Sequence, residues 1–113
     1  MAYFNKQETQ NRIDKVVKLL NEKDTDIAVI YFDELNVANG WYLTGWCGQF
    51  EKGAVLVGRD GTTMLLGGPE SEPFAKQSSA ISDTRCFKVF MVPDEEYPLA
   101  TIIGFAELFA ELN

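Results

Sequence analysis

The apolar positions in the first third of the chain change from a helical spacing to an unbroken run. Four apolar residues recur at i, i+3, i+4 and i+7 and so predict a single apolar face on a helix over residues 8–22. Thr9 is the predicted N-cap of this helix. Residues 27–32 are six consecutive apolar residues, a pattern typical of a strand that is buried on both faces. A helix followed by a buried strand indicates a layered α/β domain. The residues of the helical set are Ile13, Val16, Val17 and Leu20.

The remainder of the chain adds shorter elements. Helical spacing predicts a short helix over residues 35–43 that ends at Thr44-Gly45, because glycine suits the left-handed position after a helix. Two apolar runs flank Asp60-Gly61 and so predict an antiparallel hairpin. The predicted order is α, β, α, β, β, α, β, α within one domain. The remaining ranges are strands over residues 53–58, 62–66 and 86–92 and helices over 69–79, beginning at Pro69, and 99–112.

The last predicted helix is apolar on two sides. Phe109 lies on one side among isoleucine and alanine residues, and Phe105 and Leu108 lie on the other. A helix of this kind needs cover on more than one side. We therefore expect an exposed apolar patch near this helix, or self-association through it.

Composition restricts the possible functions. The chain has 113 residues, a net charge of −7 and no histidine. The negative charge argues against a general nucleic-acid binder and against docking on an anionic membrane. The lack of histidine removes Ser-His-Asp and Cys-His nucleophile systems. Cys47 and Cys86 match no metal or redox spacing, and the chain has neither a membrane-spanning apolar run nor a signal-peptide core, so we expect a cytoplasmic protein with reduced cysteines.

Asp33 and Glu34 follow the first predicted strand, where α/β proteins commonly bind ligands. These carboxylates could bind a metal ion, or could serve a small free-standing enzyme. Adjacent side chains diverge, however, and make a poor metal cage. We favour the interpretation that the two acids cap the following turn.

The most distinctive stretch is NGWYLTGWCG at residues 39–48. Through it the chain resembles the N-terminal domain of the creatinase/prolidase/aminopeptidase P family, which typically carries a Tyr-Leu-Thr-Gly-aromatic turn after a buried strand. That domain also has an arginine in its first helix and an Asp-Gly-like turn between two strands. The matching positions are Arg12, residues 27–32, Asn36 or Asn39, Tyr42, Leu43, Thr44, Gly45, Trp46, residues 54–57, Asp60, Gly61, Glu70 and Glu72.

The resemblance implies a three-layer α/β/α sandwich around a mixed sheet, of the ribonuclease-H-like type. It implies that residues 1–113 form one such domain without its last strand–helix unit and without a catalytic domain. The role implied is a non-catalytic accessory domain of a metal-dependent Xaa-Pro peptidase or creatinase-like hydrolase. This chain would hold no cofactor, whereas the parent enzyme would hold two divalent metal ions in its separate C-terminal domain. The implied partners are that catalytic domain and a neighbouring subunit of a homo-oligomer.

The resemblance also implies roles for single residues. Tyr42, Leu43, Thr44 and Gly45 would form the structural turn. It is the helical spacing of Tyr42 and Leu43, and not the resemblance, that predicts these two residues on its packed side. Trp46, with Cys47 and Phe50, would line the rim of the substrate site. Two alternatives remain open: Trp46 is a core aromatic residue, and the chain is a stand-alone protein-interaction module of the same fold.

Overall fold

The computed structural model describes residues 5–46, 52–69, 72–91 and 101–112. These residues form an α/β domain in which helices and strands largely alternate. A short 3₁₀ helix, Lys88–Phe90, separates the last two strands. The elements in chain order are α1 (Lys6–Glu22), β1 (Ile27–Phe32), α2 (Ala38–Thr44), β2 (Gly53–Gly58), β3 (Thr63–Gly67), α3 (Glu72–Ser78), β4 (Thr84–Phe87), β5 (Ile102–Ile103) and α4 (Phe105–Leu112).

The five described strands form one mixed sheet in the order β1-β2-β3-β4-β5. The first three strands are antiparallel, and β3, β4 and β5 are parallel. The predicted hairpin at Asp60-Gly61 is confirmed. Gly61 has a φ of 95°, and an Asp60 carboxylate oxygen accepts a hydrogen bond of 3.0 Å from the Thr62 amide. This pairing of a turn-forming acid with a left-handed glycine is what local sequence predicts.

Helices cover both faces of the sheet, so the predicted three-layer arrangement is confirmed. Residues of α1, α2 and α3 pack on one face against Val55 and Val57 of β2, which we call the first core. Leu108 of α4 packs on the other face with Leu56 and Phe87, which we call the second core. The buried strands β2 and β3 supply side chains to both cores.

Helix α1 has the predicted apolar face but a different start. Ile13 and Leu20 are buried in the first core. Asn5 is the N-cap, because its side-chain oxygen accepts hydrogen bonds from the amides of Gln7 and Glu8. The prediction that Thr9 caps the helix was wrong. Thr9 is instead buried within the first turns of the helix.

Strand β1 is not buried on both faces, and that prediction was wrong. Val29 and Tyr31 are 44% and 43% exposed, whereas Phe32 is 1% exposed. The physical reason is the position of β1 at the edge of the sheet that the described strands form. Leu108 packs against residues of β2, β3 and β4 and leaves the second face of β1 partly uncovered.

The predicted boundaries of α2, α3 and β4 also differ. Helix α2 begins at Ala38 rather than at residue 35, because Asp33 holds Leu35 and Asn36 in a turn before the helix. Helix α3 is described over Glu72–Ser78, and Pro69, where the prediction began the helix, lies in a turn. Strand β4 begins at Thr84, two residues early, and ends where the 3₁₀ helix starts.

The predicted helix over residues 99–112 was wrong in its first part. Ile102 and Ile103 form β5, which pairs in parallel with β4, and α4 begins only after Gly104. The Glu107 side chain accepts a hydrogen bond of 3.0 Å from the Gly104 amide and so marks the helix start. The expected exposed apolar patch is confirmed, because Phe105 and Phe109 are 44% and 46% exposed. Whether the chain lacks a last strand–helix unit stays a prediction.

Candidate functional site

The aromatic turn closes α2 as the sequence predicts. The helix ends at Thr44, and Gly45 adopts the left-handed conformation with φ 69° and ψ 13°. The Gly45 amide donates a hydrogen bond of 2.8 Å to the Trp41 carbonyl. A residue with a Cβ atom would be strained at this position. The backbone direction of Trp46 is therefore set by Gly45.

Thr44 fastens the turn to its surroundings. Its side chain is fully buried, and its hydroxyl lies 2.7 Å from the Gly40 carbonyl and 2.8 Å from the Trp46 carbonyl, so it can donate to either oxygen. The same hydroxyl accepts a hydrogen bond from the Trp46 amide. The Thr44 carbonyl accepts a hydrogen bond of 2.8 Å from the Ala80 amide, beyond α3. The sequence identified the motif but not this role of the threonine.

Phe32 lies under the turn in the first core. A Cβ atom at Gly40 would lie 2.7 Å from Phe32 Cγ, and one at Gly53 would lie 2.5 Å from Phe32 Cζ. The ring is therefore held between the backbones of α2 and β2. Trp46 meets this ring edge-on, with centroids 6.4 Å apart and an interplanar angle of 85°.

Trp46 lies at the boundary between core and surface. It is half-buried and packs against the first core, and its backbone is fixed by Thr44. The contact with the first core agrees with the interpretation of Trp46 as a core aromatic residue, and its partial exposure agrees with the interpretation as a rim residue. The proposed companions Cys47 and Phe50 lie outside the described residues, so a rim formed by the three residues stays a prediction.

The two residues expected on the packed side of the turn behave differently. Leu43 is buried, as predicted, but Tyr42 is 46% exposed, so its expected burial was wrong. The Arg12 guanidinium lies 4.5 Å from the centre of the Tyr42 ring and donates a hydrogen bond of 3.1 Å to the Tyr42 carbonyl. Arg12 also pairs with Glu8. The arginine of the first helix thus joins α1 to the aromatic turn through a surface cation–π contact.

Asp33 caps the turn after β1, which confirms the favoured interpretation for one of the two acids. One carboxylate oxygen accepts hydrogen bonds of 2.9 Å and 2.8 Å from the amides of Leu35 and Asn36, and the other accepts one of 2.8 Å from the Tyr31 hydroxyl. The Tyr31 hydrogen bond is the main cause that lowers the pKa of Asp33. Glu34 is exposed beside it. Within the described ranges, no three histidine, cysteine or acidic side chains converge on a point that could hold a metal ion.

An ion-pair cluster that sequence reasoning missed joins β4 to α4. The two terminal nitrogens of Arg85 donate hydrogen bonds of 2.7 Å and 2.9 Å to the Glu111 carboxylate, and its Nε donates one of 2.6 Å to Asp83. The Arg85 hydrogen bonds lower the pKa of Glu111. Asp83 is a close neighbour of Arg85 in the chain, but Glu111 lies 26 positions away, so no local pattern could have indicated the contact with α4. Its geometry serves to hold α4 on the sheet.

Among the described residues, no helix has the length and apolarity needed to cross a membrane.

No protein-family model and no curated protein matches the chain. Solved structures, however, do match its fold. The match to the creatinase/prolidase-like N-terminal domain of a protein assigned as a metallopeptidase from Corynebacterium diphtheriae has a TM-score of 0.59 at 13% identity, and covers 69% of this chain and 58% of that chain.

A second match is an Xaa-Pro aminopeptidase from Streptococcus pyogenes, with a TM-score of 0.56 at 20% identity, and it covers 69% of this chain and 55% of that chain. This chain thus spans less than two thirds of either matched chain. Both matches agree with the resemblance carried by the aromatic turn. The described structure has the α/β fold of the creatinase/prolidase-like N-terminal domain.

Proposed function

We propose that this chain is the non-catalytic N-terminal accessory domain of a metal-dependent Xaa-Pro peptidase or creatinase-like hydrolase. The observation that carries the proposal is the fold match to one domain of that description and to one Xaa-Pro aminopeptidase. In the proposal, a separate C-terminal domain holds two divalent metal ions and performs the hydrolysis. This chain supplies no catalytic residue and acts on no nucleic acid or membrane.

The ionic contacts of the described residues support an accessory role. Asp33 holds the turn after β1, and Arg85 holds α4 against the sheet. Arg59 pairs with Asp24 and Asp26 and so fastens the hairpin end of β2 to the segment before β1. Each of these charged groups has a structural partner. A general acid or base must instead be positioned to exchange a proton with the substrate, so these charged groups support a structural role.

We assign Trp46 to the substrate-site wall of the assembled enzyme, and we keep Cys47 and Phe50 as its predicted companions. Its backbone is fixed by the left-handed Gly45 and by the buried Thr44 hydroxyl. An indole ring can cover an apolar pocket with one side while its N–H remains in water. A half-buried ring on a rigid turn can therefore form a defined wall without contributing to the chemistry.

Helix α4 supports the proposed contact with a neighbouring subunit. The rings of Phe105 and Phe109 are stacked with centroids 5.5 Å apart and are both partly exposed. Two rings exposed to this extent supply on the order of 200 Å² of apolar surface. A stable interface needs about 800 Å² per partner. We therefore propose that α4 contributes part of a homo-oligomer contact and that the rest of the parent protein completes it. We also propose that the parent protein is cytoplasmic.

The proposal is tested by comparing this chain with the full-length natural gene product. The purified chain is incubated with Ala-Pro and Gly-Pro dipeptides in the presence of Mn²⁺, Co²⁺ or Zn²⁺, and we expect no turnover. The full-length product is expected to cleave the same dipeptides only when a divalent metal ion is present. Metal-dependent turnover by this chain alone, abolished by a point substitution in it, would contradict the proposal. A full-length product without metal-dependent activity on these dipeptides, on longer peptides that begin with Xaa-Pro, or on creatine would contradict it equally.

A stand-alone interaction module of the same fold is the second candidate. The specific observation that favours it is the exposed apolar edge of β1. The two candidates differ in the activity of the full-length product. Only the accessory domain requires a catalytic partner.

A further inference from the structure

Strand β1 has an open edge among the described residues. It pairs with β2 on one side, and no described strand pairs with its other side. The phase of the β1–β2 ladder shows which backbone groups face outward. The Arg59 amide donates a hydrogen bond of 2.9 Å to the Asp26 carbonyl, so every second residue from Asp26 bonds to β2. The N–H and C=O groups of Ile27, Val29 and Tyr31 therefore point to the open edge.

The ladder between β2 and β3 supports this assignment. The Gly58 amide donates a hydrogen bond of 2.7 Å to the Thr62 carbonyl on the β3 side. Gly58 lies opposite Ile27 in the β1–β2 register. Because Gly58 directs its amide towards β3, it does not bond to Ile27. Three residues of β1 thus present six main-chain hydrogen-bonding groups along the edge.

Within its six residues, strand β1 has no lysine, no proline and no bulge. Natural edge strands are commonly blunted by lysine, proline, a bulge or short length. β1 has the sequence IAVIYF and pairs with β2 in unbroken register over all 6 residues. The side chains of Val29 and Tyr31 are 44% and 43% exposed on the face of the second core. An added strand would bond to the edge and cover these two side chains.

The charges around the edge indicate what kind of strand it accepts. Asp24 and Asp26 lie before β1, and Asp33 and Glu34 follow it. Arg59 lies 2.8 Å from Asp24 and 3.5 Å from Asp26, so one positive charge is shared between two carboxylates. Lys23 and Asp60 lie beside this group and offset each other in charge, so both ends of the edge remain negative.

These charges disfavour a second copy of this chain as the occupant. Two copies of β1 paired antiparallel about Val29 would place Asp24 of each opposite Glu34 of the other. Like charges directly opposite each other are destabilising in a sheet. The net charge of −7 on each copy adds to the repulsion. An extended segment with an apolar centre and basic ends has the complementary pattern.

We propose that β1 is a docking edge for an extended segment of a partner protein that has an apolar centre flanked by lysine or arginine. The segment adds a sixth strand and bonds to the outward main-chain groups of Ile27, Val29 and Tyr31. Main-chain bonds give such a complex its affinity, and alternate side chains give specificity. The basic flanks lie against the acidic residues at the two ends of β1. The inference does not depend on the proposed peptidase parent.

The first test uses a synthetic peptide, Lys-Lys-Val-Thr-Val-Thr-Val-Lys-Lys, and the purified chain. Nuclear magnetic resonance titration and amide hydrogen exchange report where the peptide binds. We expect slower exchange at the amides of Ile27, Val29 and Tyr31, and binding that weakens as salt is added. A peptide with glutamate in place of lysine should bind at least tenfold more weakly, and one with proline at its centre should not protect the edge. Equal binding of the glutamate peptide, or protection elsewhere only, would overturn the proposal.

The second test compares two lysine substitutions with the same charge change. Val29→Lys places a positive charge on the edge, whereas Leu19→Lys places it on α1, where Leu19 is 50% exposed. We expect Val29→Lys to weaken binding of the lysine-flanked peptide at least tenfold and Leu19→Lys to leave it within twofold. Equal weakening by both substitutions would show that only net charge matters and would overturn the proposal.

Sedimentation of the wild-type chain completes the comparison. If the wild-type chain forms a dimer, we expect Val29→Lys to leave that dimer intact. A dimer that is lost in Val29→Lys would show that a second copy occupies the edge, and this result would overturn the choice of occupant. If Val29→Lys unfolds the chain, the exchange data on the wild-type protein decide the question alone. Failure of every peptide experiment would leave the dipeptidase test of the proposed function unaffected.

Discussion

Replacing Gly40 with alanine tests how closely the aromatic turn packs against strand β1. In an ordinary helix this substitution stabilises by about 1 kcal/mol, because alanine restricts the unfolded chain. At this position the new Cβ would lie 2.7 Å from Phe32 Cγ and 2.9 Å from Phe32 Cδ1. Phe32 is 1% exposed, and the backbone at Gly53 blocks the other end of its ring. The ring therefore has little room to move away.

Overpacking of a filled core typically costs about 1–3 kcal/mol, and we take the upper end because the ring is held on both sides. Subtracting the helix gain leaves a net loss of about 2 kcal/mol in the free energy of unfolding. Urea denaturation followed by circular dichroism measures this difference directly.

Gly67→Ala is the control, since a Cβ atom there meets nothing within 4 Å. It should leave the free energy of unfolding unchanged or raise it by up to about 1 kcal/mol, because alanine restricts the unfolded chain there as well. Phe32→Leu provides a second check, because the loss caused by Gly40→Ala should shrink in that background. A Gly40→Ala chain that is as stable as the wild type, or more stable, would refute the packing argument.

The remaining predictions concern four sites in the molecule. Trp46→Ala should lower the free energy of unfolding of the isolated chain by less than about 2 kcal/mol, because the ring is only half-buried. It should also raise the KM of the full-length enzyme. A loss of about 4 kcal/mol with an unchanged KM would place the ring in the core alone. Asp33→Asn should destabilise the chain at neutral pH, and its difference from wild type should shrink as pH falls. The folded pKa of Asp33 lies below its ordinary value of 3.8, so the contribution of the carboxylate is fully present above that value and is lost as pH falls through the folded pKa; a difference independent of pH between 7 and about 3 would contradict this. Phe109→Ser should reduce any self-association seen by sedimentation at high concentration, whereas Phe74→Ser, at a 65% exposed position on α3, should not; equal effects would remove α4 from the contact. Ile30→Asp should strongly destabilise the chain, because Ile30 packs against the first core, and unchanged thermal unfolding would show that the strand side chain is dispensable.

Local chemistry explains which parts of the fold could be predicted. The hairpin at Asp60-Gly61 and the left-handed Gly45 depend on residues that are neighbours in the chain, and both were correct. The apolar face of α1 was correct for the same reason. The burial of β1 was wrong because edge position depends on strand order in space, which a run of apolar residues does not encode. Ile102 and Ile103 suited both a helix stripe and a strand, and pairing with β4 decided between them.

The candidate site shows the same division. The motif around Gly45 could be recognised from the sequence. The hydrogen bonds of Thr44 could not, because they depend on the folded turn: its hydroxyl bonds to Gly40 and Trp46, and its carbonyl accepts a bond from Ala80. Tyr42 was expected on the packed side because its spacing is helical. Arg12, thirty positions away, provides a surface partner that helical spacing cannot reveal. Long-range partners therefore decided the roles of single residues within a correctly recognised motif.

The change from antiparallel to parallel pairing across the sheet has a consequence for the order in which the chain folds. β2 and β3 are joined by a tight hairpin, so their pairing closes only a short loop. β4 and β5 pair in parallel and need longer connections before any main-chain bond can form. Contacts between distant parts of a chain form slowly. We expect the hairpin with β1 and α1 to form the early nucleus, and the short β5 with α4 to join last and to open first in the native state.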